Sequence, residues 1–479
     1  MTVVLHRTFL VLFTISSLLA SAQGPARKAA TVPRTRENTA HWTVKSDWVR
    51  ADEDFLASDA LQGRGSGTRD EEIAAEFVAS KFESFGLKPA APENSFIETV
   101  DLVTPKLDGK AQLSAGSTQL QEAGDFYLLT STGESVNGKL QKVAASEAAK
   151  VEPGSAVLVT GVPDDPRALS QVAQRLRGAA VILFKDSAGI KQLFGMMGGK
   201  TRVPMHIKGV EGGGALGRSM TIAVLNADAF AKVEQMEAST PVSLTVHEVP
   251  TPPGHTYNAM AVLEGSDPNA EAILLSAHLD HLGIRPQKDG GDEIYNGADD
   301  DASGTTAVIE LARALAAGPK PKRTVYFVCF GSEETGGQGD NYFREHPPLP
   351  LDKFVANIEF EMIGAQDPKL PKGFLLLTGW ERTNLGPALR EHWAKIGPDP
   401  YPEQHYFQRS DNYALALKGV VAQTAAGWGD PPYYHRPNDD LAHLDWKFLS
   451  DAIESFVAPV EWLANSEFKP EWKPGGMPK

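Results

Sequence analysis

Cysteine is almost missing from this chain. Cys329 stands alone among 479 residues, so no intramolecular disulfide can form, and stability has to come from packing and from any bound metal. It lies inside the apolar run VYFVCF, where a small buried side chain explains it better than a nucleophile does. Basic residues are also short: 46 Lys and Arg against 61 Asp and Glu leave a net charge of −15. Phosphate recognition needs clustered cations, so this balance argues against a nucleic-acid partner. Long apolar runs are absent too. The run from Phe9 to Ala20 is too short to cross a bilayer, and no later stretch is long and apolar enough, so no membrane span is expected in the mature chain.

What is present begins with a leader. His6 and Arg7 precede that first apolar run, and Ala20-Ser21-Ala22 supplies the small-x-small pattern. Residues 1–22 therefore read as a secretory signal peptide cut after Ala22, and the protein is expected to be secreted or periplasmic. No cysteine follows the run, which argues against a lipoprotein anchor. A helix is predicted over 44–60. In LQGRGSGTRDEEIAAEFVASKFESFGLKP a glycine-rich turn leads into a second helix, with Ile73, Phe77, Val78 and Phe82 on its apolar side and Gly86 at its end. Composition changes near Pro105. From there to about Pro250, β-like runs at 156–159, 180–184, 220–225 and 242–249 alternate with helical stretches at 167–176 and 227–236. No catalytic cluster appears among them.

The organising stretch is 272–337. AILLSAHLDHLG is a strand-length apolar run with His278 and Asp280 at its end; YNGADDDASGTTAVIELARALAAG is a turn feeding a helix over 303–317; RTVYFVCFGSEETGG is a second strand ending at Glu333 and Glu334. Strand, helix and strand with continuously apolar strands predict a parallel sheet covered on both faces. Ligands of such sheets bind outside the carboxyl ends of the strands, where His278, Asp300, Glu333 and Glu334 all fall. One imidazole among carboxylates, without a thiolate, suits Zn²⁺ or another borderline divalent ion. So many carboxylates repel one another unless cations lie between them, and two ions sharing a carboxylate are one solution. The plainer reading makes Asp299, Asp300 and Asp301 helix caps and His278 an ordinary core histidine. Capping explains one aspartate, not three facing a His-x-Asp and a Glu-Glu pair.

HLDHLG, NGADDDASGT and FGSEETGG, with ANIEFEMIGA around Glu361 and PPYYHRPND around His435, resemble the co-catalytic di-zinc aminopeptidases of metallopeptidase family 28. The resemblance implies an α/β fold, a mixed, largely parallel sheet flanked by helices (the zinc-exopeptidase fold). It also implies a β-rich protease-associated domain inserted at 106–250, between peptidase segments 23–105 and 251–479. It implies two Zn²⁺ per chain, one held by His278 and Glu361, the other by Glu334 and His435, with Asp300 bridging. Glu333 would be general base and acid, and Tyr434 a donor to the oxyanion or a packing residue. Asp280 and Asp439 would support the histidine ligands. Arg409 and Asp411 match a stretch near the substrate or form a structural ion pair. Two departures stand out. Glu361 replaces a frequent aspartate, with Glu359 on the same strand face as a rival ligand, and Asn412 replaces a frequent histidine after Ser410-Asp411. His281 and His405 are open as contacts to ligands or substrate. The implied function is hydrolysis of N-terminal residues from peptides with a free N-terminus. Glutaminyl cyclase, carboxypeptidase and a non-catalytic receptor-like ectodomain are the alternatives.

Overall fold

The computed structural model describes residues 44–147, 151–162, 164, 166–176, 178–196, 199–208, 220–249, 251–287 and 290–479; the leader expected at 1–22 lies outside them. The elements that matter for the site are α1 (Ser46–Leu56), α2 (Arg69–Ser84), β1 (Ile97–Val103), β2 (Gly254–Leu263), β3 (Ala272–His278), α3 (Gly304–Ala317), β4 (Val325–Phe330), β5 (Phe354–Phe360), β6 (Leu375–Leu377), β7 (Ile396–Pro398), β8 (Ala422–Ala426) and α4 (Trp446–Asn465).

These strands build a ten-stranded sheet in the order β1-β2-β4-β3-β5-β8-β6-β7, with His206–Ile207 on the free edge of β1 and Lys88–Pro89 beside β2. It is mixed. The centre, β4-β3-β5-β8, is parallel, whereas β1-β2, β2-β4 and β8-β6 are antiparallel. Every residue of β3 and β5 is buried, as expected for parallel strands covered on both faces. On one face α1, α2, α3 and α4 share an apolar cluster with Ile273, Leu275, Phe327 and Ile358. On the other, Leu274, Val328 and Phe330 meet Phe343 and Leu415 from the short helices Gln338–Glu345 and Asn412–Leu417. The Thr68 side chain caps α2 by accepting from the N–H groups of Asp70 and Glu71, and Asp70, Glu71 and Glu72 in its first turn complement the helix dipole.

Eight further strands between residues 112 and 245 form a second sheet, with one apolar cluster on each face. The short strand His206–Ile207 leaves that region and pairs antiparallel with β1. Between 384 and 396 apolar residues recur at helical spacing, but the segment is two elements, Leu385–Glu391 and then β7, separated where Trp393 takes a φ of 79°. A helix cannot continue through that backbone conformation. Among the described residues, no helix is long and apolar enough to cross a membrane.

Candidate metal centre

The parallel strands β3, β4 and β5 bring their carboxyl ends to one edge of the sheet, and each is followed at once by a charged loop. His278 closes β3, Glu333 and Glu334 follow β4, and Glu361 follows β5. The turn before α3 delivers Asp300. One ligand-capable atom from each of His278, Asp300 and Glu361 lies within 4.8 Å of the others, and so do atoms from His281, Asp300 and Glu334. His278 Nε2 is 3.3 Å from Asp300 Oδ1. His435 Nε2 is 3.2 Å from Asp300 Oδ2 and 3.2 Å from Glu334 Oε1. Asp300 thus lies between two donor groups, one oxygen toward each.

The three consecutive aspartates divide their work. Asp299 Oδ1 accepts from the Gly364 N–H (2.7 Å) and its Oδ2 from the Tyr433 hydroxyl (2.9 Å). Asp301 accepts from the N–H groups of Gly304, Met362 and His278, capping α3 while tying β3 and the loop after β5 to the same turn. Only Asp300 turns both oxygens toward the imidazoles. The Asp300–Asp301 peptide is cis.

Several supporting residues act otherwise than the motifs imply. The His278 Nδ1 contact is to the Asp280 main-chain oxygen at 3.2 Å, with Asp280 Oδ1 farther off at 3.7 Å. The Asp280 carboxylate accepts instead from the N–H groups of Glu333 (2.9 Å) and Glu334 (3.4 Å) and from the Ser66 hydroxyl (2.5 Å), so it braces the Glu-Glu turn. Asp439 accepts from the N–H groups of Asp299 and Asp300 and holds the aspartate turn, not the His435 ring. Glu359 is saturated by Ser410 Oγ, Asn412 N and Thr424 Oγ1, which removes it as a rival to Glu361. Asp411 is fully buried with neither oxygen hydrogen-bonded, facing Asp340 and Glu359 and shut off from a substrate. Arg409 is exposed, its guanidinium 5.1 Å from the Tyr406 ring and 5.6 Å from that of Tyr434. Tyr434 stacks on His435 at 3.9 Å. His405, at the left-handed junction of two short 3₁₀ turns, is exposed and lies outside both donor groups.

Sequence reasoning missed the second ring of support. Arg64, fully buried, donates Nε to Leu279 O (2.9 Å), Nη1 to Leu56 O (2.5 Å) and Asn296 O (2.6 Å), and Nη2 to Gly297 O (3.0 Å). It clamps the loop after β3 to the aspartate turn. Glu71 accepts from Ser332 N (2.7 Å) and Thr256 Oγ1 (2.9 Å) and steadies the residue before Glu333. The only local signal was the glycine-flanked arginine of GRGSGT, which by itself marks a turn.

Electrostatics report a deficit of positive charge. Burial pushes the Glu333 carboxyl well above the usual range; His278 opposes this, and Glu334 and Glu361 add to it. Burial likewise raises Glu361 to about 7, against His278 and with Glu359. The His435 imidazole is lowered by burial but carried up to about 10 by Glu334 and Asp300. Burial and Asp300 raise Glu334, yet His435 and His281 bring it to about 2. Burial lowers His278 too, but Asp280 and Asp300 carry it well above the usual range. His278 and His435 thus favour their cationic forms, a role that a divalent ion fills better by displacing those protons. The donor atoms themselves fit one: His278 Nε2, His281 Nδ1, Asp300 Oδ2 and Glu334 Oε1 are buried, carry no hydrogen bond and converge. Leaving such atoms unmatched costs roughly 1–3 kcal/mol each, and nitrogen and oxygen donors without thiolate suit zinc.

The family model described as Peptidase family M28 matches residues 258–459, a span that contains all of these donors. The chain is 21% identical over 425 residues to Aminopeptidase YwaD of Bacillus subtilis (strain 168), covering 86% of this chain and 84% of that protein. It is 23% identical over 426 residues to Probable lipoprotein aminopeptidase LpqL of Mycobacterium tuberculosis, covering 80% and 77%. The fold is similar to that of the aminopeptidase from Aneurinibacillus sp. strain AM-1, with a TM-score of 0.51 and 17% identity over 88% of this chain and 94% of that one.

Proposed function

We propose, for a chain that carries a Peptidase family M28 domain at residues 258–459, that it is a zinc-dependent aminopeptidase removing N-terminal residues from peptides. The observation that carries this reading is the convergence of buried, unpartnered donor atoms around Asp300. The similar proteins YwaD and LpqL are named as aminopeptidases, which supports the substrate class. In this reading His278 and Glu361 with Asp300 hold one Zn²⁺, and Glu334 and His435 with Asp300 hold the other. Bound zinc supplies Lewis acidity toward the scissile carbonyl and acidifies water.

The chain's own residues do the rest. The Glu333 backbone is fixed by Asp280, and its carboxylate takes a proton from the attacking water and returns it to the leaving amine. Tyr434 donates to the carbonyl oxygen as charge develops there. The free α-amine of the substrate sits by Glu333 and Glu361, whose carboxylates suit a cation. An acetylated amine has neither the charge nor the basicity to occupy that place. Residues 106–250 are read as an inserted protease-associated domain that walls the cleft, between peptidase segments 23–105 and 251–479. A leader at 1–22 makes the enzyme an exported one.

The test compares amino-acid anilides and short peptides with their N-acetyl forms, alongside metal analysis. Hydrolysis of the free amines alone, abolished by chelator and restored by zinc, is expected. Cleavage of N-acetyl peptides or release of C-terminal residues would overturn the aminopeptidase reading, and pyroglutamate formation without hydrolysis would point to a cyclase.

A further inference from the structure

His281 is the fourth residue of HLDHLG, and the motif reading left it open. It is fully buried. Its main-chain N–H is held by Arg64 O at 3.0 Å, and its ring lies against Gly297, where a Cβ would come within 2.5 Å of His281 Cγ. Gly297 has a φ of 60°, a conformation that also favours glycine, so the ring is seated against bare backbone. Its Nδ1 is 2.9 Å from Glu334 Oε1 and 3.8 Å from Asp300 Oδ2. These are the same two oxygens that His435 Nε2 approaches at 3.2 Å each. The two rings meet edge to face, with centroids 5.7 Å apart.

One donor atom each from His281, Asp300 and Glu334 lies within 4.8 Å of the others, and His435 Nε2 meets the same two oxygens as His281 Nδ1. A tetrahedron with zinc–ligand bonds of about 2.0–2.1 Å has edges of roughly 3.3–3.4 Å. The four edges given above scatter around that length. A histidine that served only to fill the core would not hold a buried Nδ1 2.9 Å from the Glu334 carboxylate in an orientation that makes no well-aligned hydrogen bond with it, because a buried polar atom left short of a partner is costly.

We infer that His281 is a zinc ligand, completing with Asp300, Glu334 and His435 a four-donor protein set around the second ion. This rests on the di-zinc reading above. It makes the centre asymmetric. A site with four protein donors is closed, as in structural zinc sites, whereas three donors leave a position open. The open position then belongs to the His278, Asp300 and Glu361 side, and the closed side fills first with the higher affinity.

X-ray absorption of the unaltered protein loaded with one equivalent of zinc tests this without any substitution. Two imidazoles on that zinc are expected; a single imidazole would overturn the assignment. His281→Ala and His281→Asn supply the second measurement, read by zinc competition and by the visible spectrum of the cobalt-substituted protein. Asparagine still donates a hydrogen bond to Glu334 but is a poor zinc ligand. Both variants should lose at least 100-fold in affinity at the tighter site, more than the 10–100-fold typical of a residue that merely orients a ligand. The intense four-coordinate cobalt band should weaken in both, and added imidazole should restore it in the alanine variant. Wild-type affinity and spectrum in His281→Asn would reduce His281 to a hydrogen-bond donor. A wild-type protein that binds two zinc ions without cleaving N-terminal residues would instead overturn the aminopeptidase reading and leave the ligand set standing.

Discussion

Tyr433 and Tyr434 are chain neighbours with opposite surroundings. The Tyr433 hydroxyl is buried against Asp299 Oδ2 at 2.9 Å, while Tyr434 stacks on His435 beside the cleft. Phenylalanine should therefore separate their roles. Tyr433→Phe leaves a buried carboxylate oxygen short of a donor and should cost about 1–3 kcal/mol of stability in urea unfolding, with zinc retained. Tyr434→Phe should leave stability within about 0.5 kcal/mol and lower kcat by roughly 10²–10³-fold. A Tyr434→Phe enzyme with normal kcat would make that ring a packing residue. The adjacent glutamates divide in the same way. Glu333→Gln preserves shape but cannot carry the proton, so turnover should fall by roughly 10²–10⁴-fold while both metals stay bound. Near-normal turnover in that variant would remove Glu333 as the base.

At the scale of elements, the loop from Gly331 to Gly339 carries both glutamates and is pinned at its two ends by one side chain. Asn258, on β2, accepts from the Gly331 N–H at 3.1 Å and donates to Gly339 O at 3.0 Å. Its amide also donates to Glu98 Oε2 on β1 at 2.8 Å. Burial raises the Glu98 carboxyl from 4.5 to about 7, against the opposing effects of Asn258 and His346. A carboxyl raised on folding binds its proton more tightly in the native state. Its stabilising effect is complete below pH 4.5 and is lost as pH rises through about 7. Over that interval Glu98 should withdraw on the order of 3 kcal/mol. Glu98→Gln should abolish that part of the pH dependence and be the more stable form at pH 8. Denaturant unfolding between pH 4.5 and pH 8 reads this directly, and an unchanged slope in the variant would show that Glu98 is not the titrating group.

For the whole molecule, the second sheet contributes no donor to the centre among the described residues. It touches the peptidase sheet through His206–Ile207 on β1 and through Met205 O, which accepts from Gln338 Nε2 at 3.1 Å. Replacing residues 106–250 with a short linker should keep two zinc ions per folded chain, because every donor found among the described residues lies outside that segment. The lost edge contacts should lower stability by a few kcal/mol, on the order of 1 kcal/mol for each hydrogen bond removed. Long peptides, no longer met by a wall, should be cleaved at rates closer to those of dipeptides. A folded deletion variant without metal would tie the inserted sheet to the centre itself.

What could be read in the sequence was whatever is local in the chain. Apolar runs AILLSA and VYFVCF, each ending in charge, identified β3 and β4 and put His278, Glu333 and Glu334 at their ends, because strand burial and strand termini are written in consecutive residues. Residue type and spacing alone did not separate the members of the crowded set; the motif resemblance pointed to Asp300 and Glu361, and the tertiary contacts supply the physical reason. Asp300 differs from Asp299 and Asp301 because Gly364, Met362, Tyr433 and Asp439 occupy the outer two aspartates and hold the turn. Glu361 differs from Glu359 because Ser410, Asn412 and Thr424 satisfy Glu359. His281 joins the donors because Arg64, more than two hundred residues earlier, holds its backbone. Burial makes each polar group find partners, and those partners come from distant segments that meet only after the sheet has formed. Residue type and order were enough for the chemistry, and tertiary contact decided which side chains perform it.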